Sequence, residues 1–195
     1  MKHSLYIILY TLLVCLFGIY FAIENIHNPT KFVYLAIPVS ILIANVVEYL
    51  IHRYVMHRSI PGLKIAIRLH MVHHNYFAEQ TYCIKKFADF AMIVFPASVI
   101  NITAFILAPM ISIAMGWLFG FNFGYMYYAT ILVYYLMMQI LHIIGHLNDS
   151  HIVMKFPIFN NIRVHHKIHH IKTLMTSKNF NFIFPISDKI FGTLL

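Results

Sequence analysis

FVYLAIPVSILIANVVEYLIHRYVMH, residues 32–57, is an apolar run that closes on two histidines. Phe32 to Ile51 is long enough for one crossing, since a bilayer core about 30 Å thick takes about 20 helical residues. The same pattern recurs further on, where the apolar stretch ending at Ile144 carries His142 and His146. Of the chain's 14 histidines, ten fall in four clusters: His52-x4-His57, His70-x2-His73-His74, His142-x3-His146 and His166-x2-His169-His170. An apolar run fixes where a segment lies, and histidines at its end give that segment something to do at the membrane surface.

Composition agrees with a membrane reading. The 195 residues are 61% hydrophobic and 10% charged, with a mean hydropathy of +0.74, which excludes a soluble domain with a large core. The net charge of +8 does not indicate nucleic acid, because Lys and Arg are spread between apolar runs and form no strip with interleaved aromatics. Cys15 and Cys83 form no C-x-x-C and give no disulfide framework. The apolar N-terminal run is too long for a signal peptide and lacks a small-x-small cleavage site, so it reads as an uncleaved first span.

Four spans are expected, at about residues 5–23, 32–51, 87–108 and 122–144. The first two form a hairpin around the polar turn Glu24 to Lys31. The stretch from Phe87 to Ile144 is almost uniformly apolar and is long enough for two tilted spans joined near Pro109 to Asn122. Arg53, Arg58, Lys64, Arg68, Lys85 and Lys86 follow the second span, and Lys155, Arg163, Lys167, Lys172, Lys178 and Lys189 follow the fourth. Those regions share one side with Lys2 and leave Lys31 opposite, so the positive-inside rule places the N-terminus, the histidine clusters and the C-terminus in the cytosol. The expected fold is therefore one all-α integral membrane domain over 1–195, with four transmembrane helices in two hairpins. Residues 52–86 and 145–195, which carry the histidine clusters, would lie on the cytosolic side.

Helical residues three and four apart share a face, so His70, His73 and His74 form one stripe and His166, His169 and His170 another, each able to offer three imidazoles to a metal site. His142 and His146 are one turn apart. His52 and His57 are five apart, about 140° around an ideal helix, and need a distorted turn or a helix end between them. Ten imidazoles suit two metal ions of five each better than one ion. Imidazole serves iron, zinc, copper and nickel, so ligand type alone does not choose the metal. Desolvating so many imidazoles beside a bilayer without a cation would be costly. Ligating histidines usually pass their second N–H to a carboxylate or carbonyl, and Glu48, Asp149 and Asp188 are near enough in sequence to accept it. His151 and His165 adjoin clusters and are candidate extra ligands, whereas His3 and His27 read as interfacial residues. The Met, Phe and Tyr content belongs to lipid-facing and helix-packing surfaces. The spans carry mainly isolated polar groups such as Asn45 and Asn101.

At these residues the chain resembles the fatty acid hydroxylase superfamily, the membrane group that includes fatty acid 2-hydroxylases, sterol methyl oxidases, sterol desaturases and carotenoid ring hydroxylases. Glu48-Tyr-Leu-Ile-His52-Arg-Tyr-Val-Met-His57 looks like the first box, His70-Met-Val-His73-His74 the second, His142-Ile-Ile-Gly-His146 the pair on the last span, and His166-Lys-Ile-His169-His170 the final box. Asn179-Phe-Asn-Phe followed by Asp188-Lys-Ile-Phe-Gly-Thr193 looks like the closing motif. The resemblance implies that residues 52–86 and 145–195 form a cytosolic, histidine-rich helical cap over a dimetal site, iron when active and open to zinc in purified protein. It also implies O2 as co-substrate and attack on an unactivated C–H bond of a lipid drawn from the bilayer. Some members carry a fused cytochrome b5 domain, and no His-Pro-Gly-Gly motif for one occurs here. Electrons would then come from a separate cytochrome b5-like protein or a ferredoxin with its reductase. Small size and the absence of a retention signal at Thr193-Leu194-Leu195 favour a bacterial inner membrane over the endoplasmic reticulum. The leading expectation is hydroxylation of a fatty acyl chain. A sterol- or carotenoid-modifying or desaturating activity, and a non-catalytic metal-binding or metal-transporting protein, stand as alternatives.

Overall fold

The computed structural model describes residues 2–195, with side chains from Ser4 onward, so Lys2 and His3 lie outside the described side chains. All described regular structure is helical. The order is α1 (Lys2–Glu24), α2 (Ala36–Leu50), α3 (Lys64–Tyr76), α4 (Ala97–Ile102), α5 (Ala108–Phe119), α6 (Phe121–Gly145), α7 (Pro157–His169) and α8 (Ile186–Ile190). Four continuous helical stretches are long and apolar enough to cross a membrane: Ser4–Glu24, Lys31–Met56, Ala97–Phe119 and Phe121–Gly145.

The third stretch begins later than the sequence suggests. Phe87–Met92 is a 3-10 turn and not the first part of a span. The buried Asp89 carboxylate stops it, accepting the N–H groups of Lys85 and Lys86 and the Tyr76 hydroxyl. The chain then turns at Pro96, extended at φ −62°, before α4. The junction of the last two spans falls inside the expected stretch Pro109 to Asn122 and is shorter than it. Pro109 lies inside the third span, and the break is Gly120 alone, at φ +96°. A wide π turn, Thr103–Leu107, precedes Pro109 and accommodates the ring that would otherwise crowd the carbonyl four residues back.

The chain divides into two compact units. The first comprises Met1–Ala44 and Phe95–Met137. Its exterior is apolar, with Leu13, Phe17 and Trp117 each more than half exposed, the inverse of a soluble protein and the surface that lipid requires. Within it the Tyr10 hydroxyl donates to Asn101 Oδ1 at 2.6 Å, which satisfies that polar group inside a span. His27 and Asn122 clasp each other through N–H to Oδ1 and Nδ2 to O contacts of 3.2 and 2.7 Å. Gly124 permits a close helix crossing, because a Cβ there would come within 2.5 Å of the Ser112 carbonyl.

The second unit, Asn45–Val94 and Met138–Leu195, contains all ten clustered histidines. Its polar framework is built around the C-terminal segment. Asn45 is a clasp and not an isolated polar residue: its Oδ1 accepts from Ser187 N and Oγ, its Nδ2 donates to Phe184 O, and its carbonyl accepts from Asn181 Nδ2.

Candidate metal centre

Four helical elements of the second unit converge their histidines. The segment that follows α2, Ile51–Met56, is a π turn, and i→i+5 hydrogen bonding returns residues five apart to nearly the same face. That is the distortion the His52-x4-His57 spacing demands. The donor nitrogens of His52, His57, His70, His74 and His169 all lie within 4.8 Å of one another, as do those of His73, His142, His146 and His166. His170 joins the second group, its Nε2 3.1 Å from both His73 Nε2 and His166 Nε2.

Each three-histidine stripe is therefore split. On α3 the i, i+4 pair His70 and His74 faces one group while His73 faces the other. From α7, His166 and His170 face the second group while His169 returns to the first. Successive helical residues diverge by about 100°, so one helix can serve two neighbouring sites. The groups adjoin, with the His74 and His170 rings stacked at 4.2 Å between centroids.

Half of these rings have their orientation fixed by backbone carbonyls. Nδ1 faces Phe180 O in His52 (2.5 Å), Met92 O in His73 (2.7 Å), Tyr82 O in His146 (2.9 Å), Lys178 O in His169 (2.8 Å) and Phe77 O in His170 (2.8 Å). A carbonyl only accepts, so each Nδ1 carries the proton and each Nε2 presents a lone pair inward. For these five rings the acceptors are main-chain oxygens and not Glu48, Asp149 or Asp188. Glu48 accepts the Phe182 N–H and Asp188 accepts those of Phe180 and Asn181, at 2.9 and 2.8 Å, together with the Thr193 hydroxyl at 2.7 Å. These two carboxylates set the loop whose Phe180 carbonyl orients His52. Asp149 is exposed and pairs with the buried Arg163 guanidinium.

Burial and neighbouring imidazoles keep these rings neutral. Burial, followed by repulsion from His169 and His73, pushes His57 down to about 3. Burial takes His73 down to about 4 against the opposing pull of its Met92 hydrogen bond. Burial first, then neighbouring imidazoles, holds His70, His74, His166, His169 and His170 well below the ordinary histidine range. At Asp188 burial would raise the carboxyl, but His165, the two N–H groups and Thr193 outweigh it and lower the pKa.

The donor set fits metal ions on its own chemistry. The His52–His70, His57–His70, His70–His74 and His57–His169 Nε2 pairs are 2.9 to 3.0 Å apart. Two nitrogens each about 2.1 Å from one ion, at right angles, are separated by about 3.0 Å. For His73 and His170, whose Nδ1 atoms both face carbonyls, the Nε2 atoms 3.1 Å apart both present lone pairs, which repel unless a cation lies between them.

His151 and His165 stand outside both groups. His151 is exposed and its Nδ1 accepts the Val153 N–H. His165 Nε2 is 3.0 Å from Asn181 O and 3.6 Å from Asp188. Two aromatic residues not singled out in the sequence complete the lining. The Phe182 ring lies flat on His52 at 4.9 Å and also meets His142 at 4.5 Å and His166 at 5.2 Å. Tyr82 packs on His146 at 4.6 Å and His170 at 5.2 Å. Apart from the closing motif around Phe182, no local pattern marks them.

Four membrane-length helices and two buried histidine groups able to hold metal ions define a class of multi-pass membrane metalloproteins. Within that class, the chain matches the fatty acid hydroxylase family over residues 37–193 and belongs to it. The match includes all ten clustered histidines. No curated protein and no solved structure matches the chain.

Proposed function

We propose that the protein is a membrane monooxygenase that hydroxylates a lipid, most directly a fatty acyl chain, at a histidine-ligated dimetal centre. The observation that carries this reading is the five-and-five division of ten buried histidines, with inward Nε2 atoms about 3 Å apart, in a chain of the fatty acid hydroxylase family. His52, His57, His70, His74 and His169 would hold one ion, and His73, His142, His146, His166 and His170 the other. Iron bound there would supply the O2-dependent oxidation of an unactivated C–H bond. One oxygen atom enters the C–H bond and the other leaves as water, with two electrons from a separate ferredoxin or cytochrome b5-like donor and its reductase and two protons from solvent.

The chain's own residues hold and shield. The carbonyls of Phe180, Met92, Tyr82, Lys178 and Phe77 fix the imidazole planes, so the donors are arranged before any ligand arrives. Phe182, Phe180 and Phe77 surround the rings and exclude water. The histidines serve as ligands and not as acids or bases. The two-hairpin arrangement and the cytosolic side for both histidine groups belong to the same proposal, supported by the distribution of Lys and Arg.

The test is mass spectrometry of lipids from aerated cells expressing wild type, His169→Ala or His166→Ala at matched protein levels, with metal analysis of each purified protein. A lipid gaining one oxygen atom only with wild type supports the reading, as does the loss of about one metal ion per chain in each variant. Unchanged lipids in a host supplying iron and a compatible reductase would count against hydroxylation, and unchanged metal content against the ligand assignment.

A further inference from the structure

The outer surface of α3 is built for a membrane surface. Its 13 residues divide into three sectors at 100° per residue. His70, His73 and His74 occupy one and are buried. Ile65, Leu69, Val72 and Tyr76, at the spacing i, i+4, i+7 and i+11, occupy the second and are 59, 47, 46 and 40% exposed. Lys64, Arg68 and Asn75 occupy the third, all exposed, and neither cation forms an ion pair among the described residues. The exposed sectors thus comprise a continuous apolar stripe edged along one side by positive charge.

We propose that α3 is an interfacial helix seated in the lipid headgroup region, with its apolar stripe entering the acyl boundary and Lys64 and Arg68 on anionic headgroups. Thirteen residues carrying two cations and three buried histidines are too short and too polar to span a bilayer. An apolar stripe beside a basic edge is what a helix lying in the interface presents. Charge selects the occupant: a negatively charged lipid surface complements Lys64 and Arg68 and a hydrocarbon boundary complements Ile65 and Leu69, whereas a second copy of this helix would set like charges together. The exposed Tyr76 ring, whose hydroxyl donates to Asp89 at 2.7 Å, is the amphipathic side chain favoured at that depth. The helix that presents three histidines inward would then be fixed by lipid outward.

Trp117 is the sole tryptophan, so a Trp117→Phe background leaves a silent chain for a reporter. Leu69→Trp and Asn75→Trp in that background, reconstituted in nanodiscs of phosphatidylcholine and phosphatidylglycerol, are probed with bromine at shallow or deep acyl positions and with aqueous iodide. Leu69→Trp should be quenched at least about twofold more by shallow bromine than by iodide, and Asn75→Trp should show the reverse preference. Adding Lys64→Glu and Arg68→Glu should weaken bromine quenching in discs containing phosphatidylglycerol. Iodide quenching of Leu69→Trp without bromine quenching, or shielding from both by protein, overturns the proposal. A Val72→Cys spin label, compared for access by oxygen and by a water-soluble relaxant, gives the same decision if the tryptophan variants fail to fold.

Discussion

His73 and His170 meet Nε2 to Nε2 at 3.1 Å, while the other nitrogen of each ring faces a carbonyl, Met92 for His73 and Phe77 for His170. Both inward nitrogens therefore carry lone pairs, and the pair is stable only with a cation between them. Chelation should accordingly destabilise the purified protein. A metal held at about a hundredfold above its Kd contributes about 2.7 kcal/mol, so stripping it should lower the Tm by roughly 5–10 °C, restored by adding iron(II). A Tm indifferent to chelator and metal would mean that the groups hold no ion.

The metal-free protein should be acid-sensitive. His57 is held at about 3 and His73 at about 4 by burial, against about 6.5 in an unfolded chain. Between those values the unfolded chain takes up protons that the folded one refuses, so stability rises with pH in that window. The contribution is complete above about pH 6.5 and is lost progressively as pH falls toward 4. Thermal melts of apo-protein should be level from pH 7 to 8 and decline steadily below about 6.5. Equal melting temperatures at pH 7 and 5 would show that these imidazoles are not buried neutral.

Asp188 acts on the first histidine group from a distance. It holds the N–H groups of Phe180 and Asn181, and the Phe180 carbonyl faces His52 Nδ1 at 2.5 Å. Asp188→Ala frees that loop and should weaken metal binding on the order of tenfold, the scale typical of orienting partners, while the second group keeps its ion. Competitive metal titration should therefore give one weakened site and one unchanged site per chain. Two unchanged sites would reduce Asp188 to a purely local stabiliser.

The sequence made the chemistry of the site legible and hid its partition. Ten histidines at membrane ends were visible from spacing, and the five-residue gap between His52 and His57 foretold the distorted turn that appears at Ile51–Met56. That His73 parts from His70 and His74 was not visible, because the outcome depends on which helix packs on each side. The supporting acceptors were hidden for a different reason: every residue has a carbonyl, so Met92 and Phe77 carry no sequence signal. The third span was misplaced because Phe87, Phe90 and Met92 raise the local hydropathy, whereas the three hydrogen bonds accepted by Asp89 do not enter a hydropathy sum.

Gly145, inside the His142-Ile-Ile-Gly-His146 box, tests how closely α6 and α7 must approach. A Cβ at Gly145 would lie 3.0 Å from His166 Cδ2 and 3.3 Å from its Cβ and Cγ, tighter than ordinary van der Waals contact. Helix propensity alone would favour Gly145→Ala by about 1 kcal/mol. The opposing term is overpacking, about 1–3 kcal/mol where the neighbour cannot yield. His166 has little room to yield, since it is buried with Nε2 3.0 Å from His146 and 3.1 Å from His170. The clash should win: Gly145→Ala should lower the Tm by a few degrees and deplete the second histidine group of metal while the first stays filled. A higher Tm with two ions retained would show that α7 can shift outward without disturbing its histidines, and that this glycine serves only the helix end.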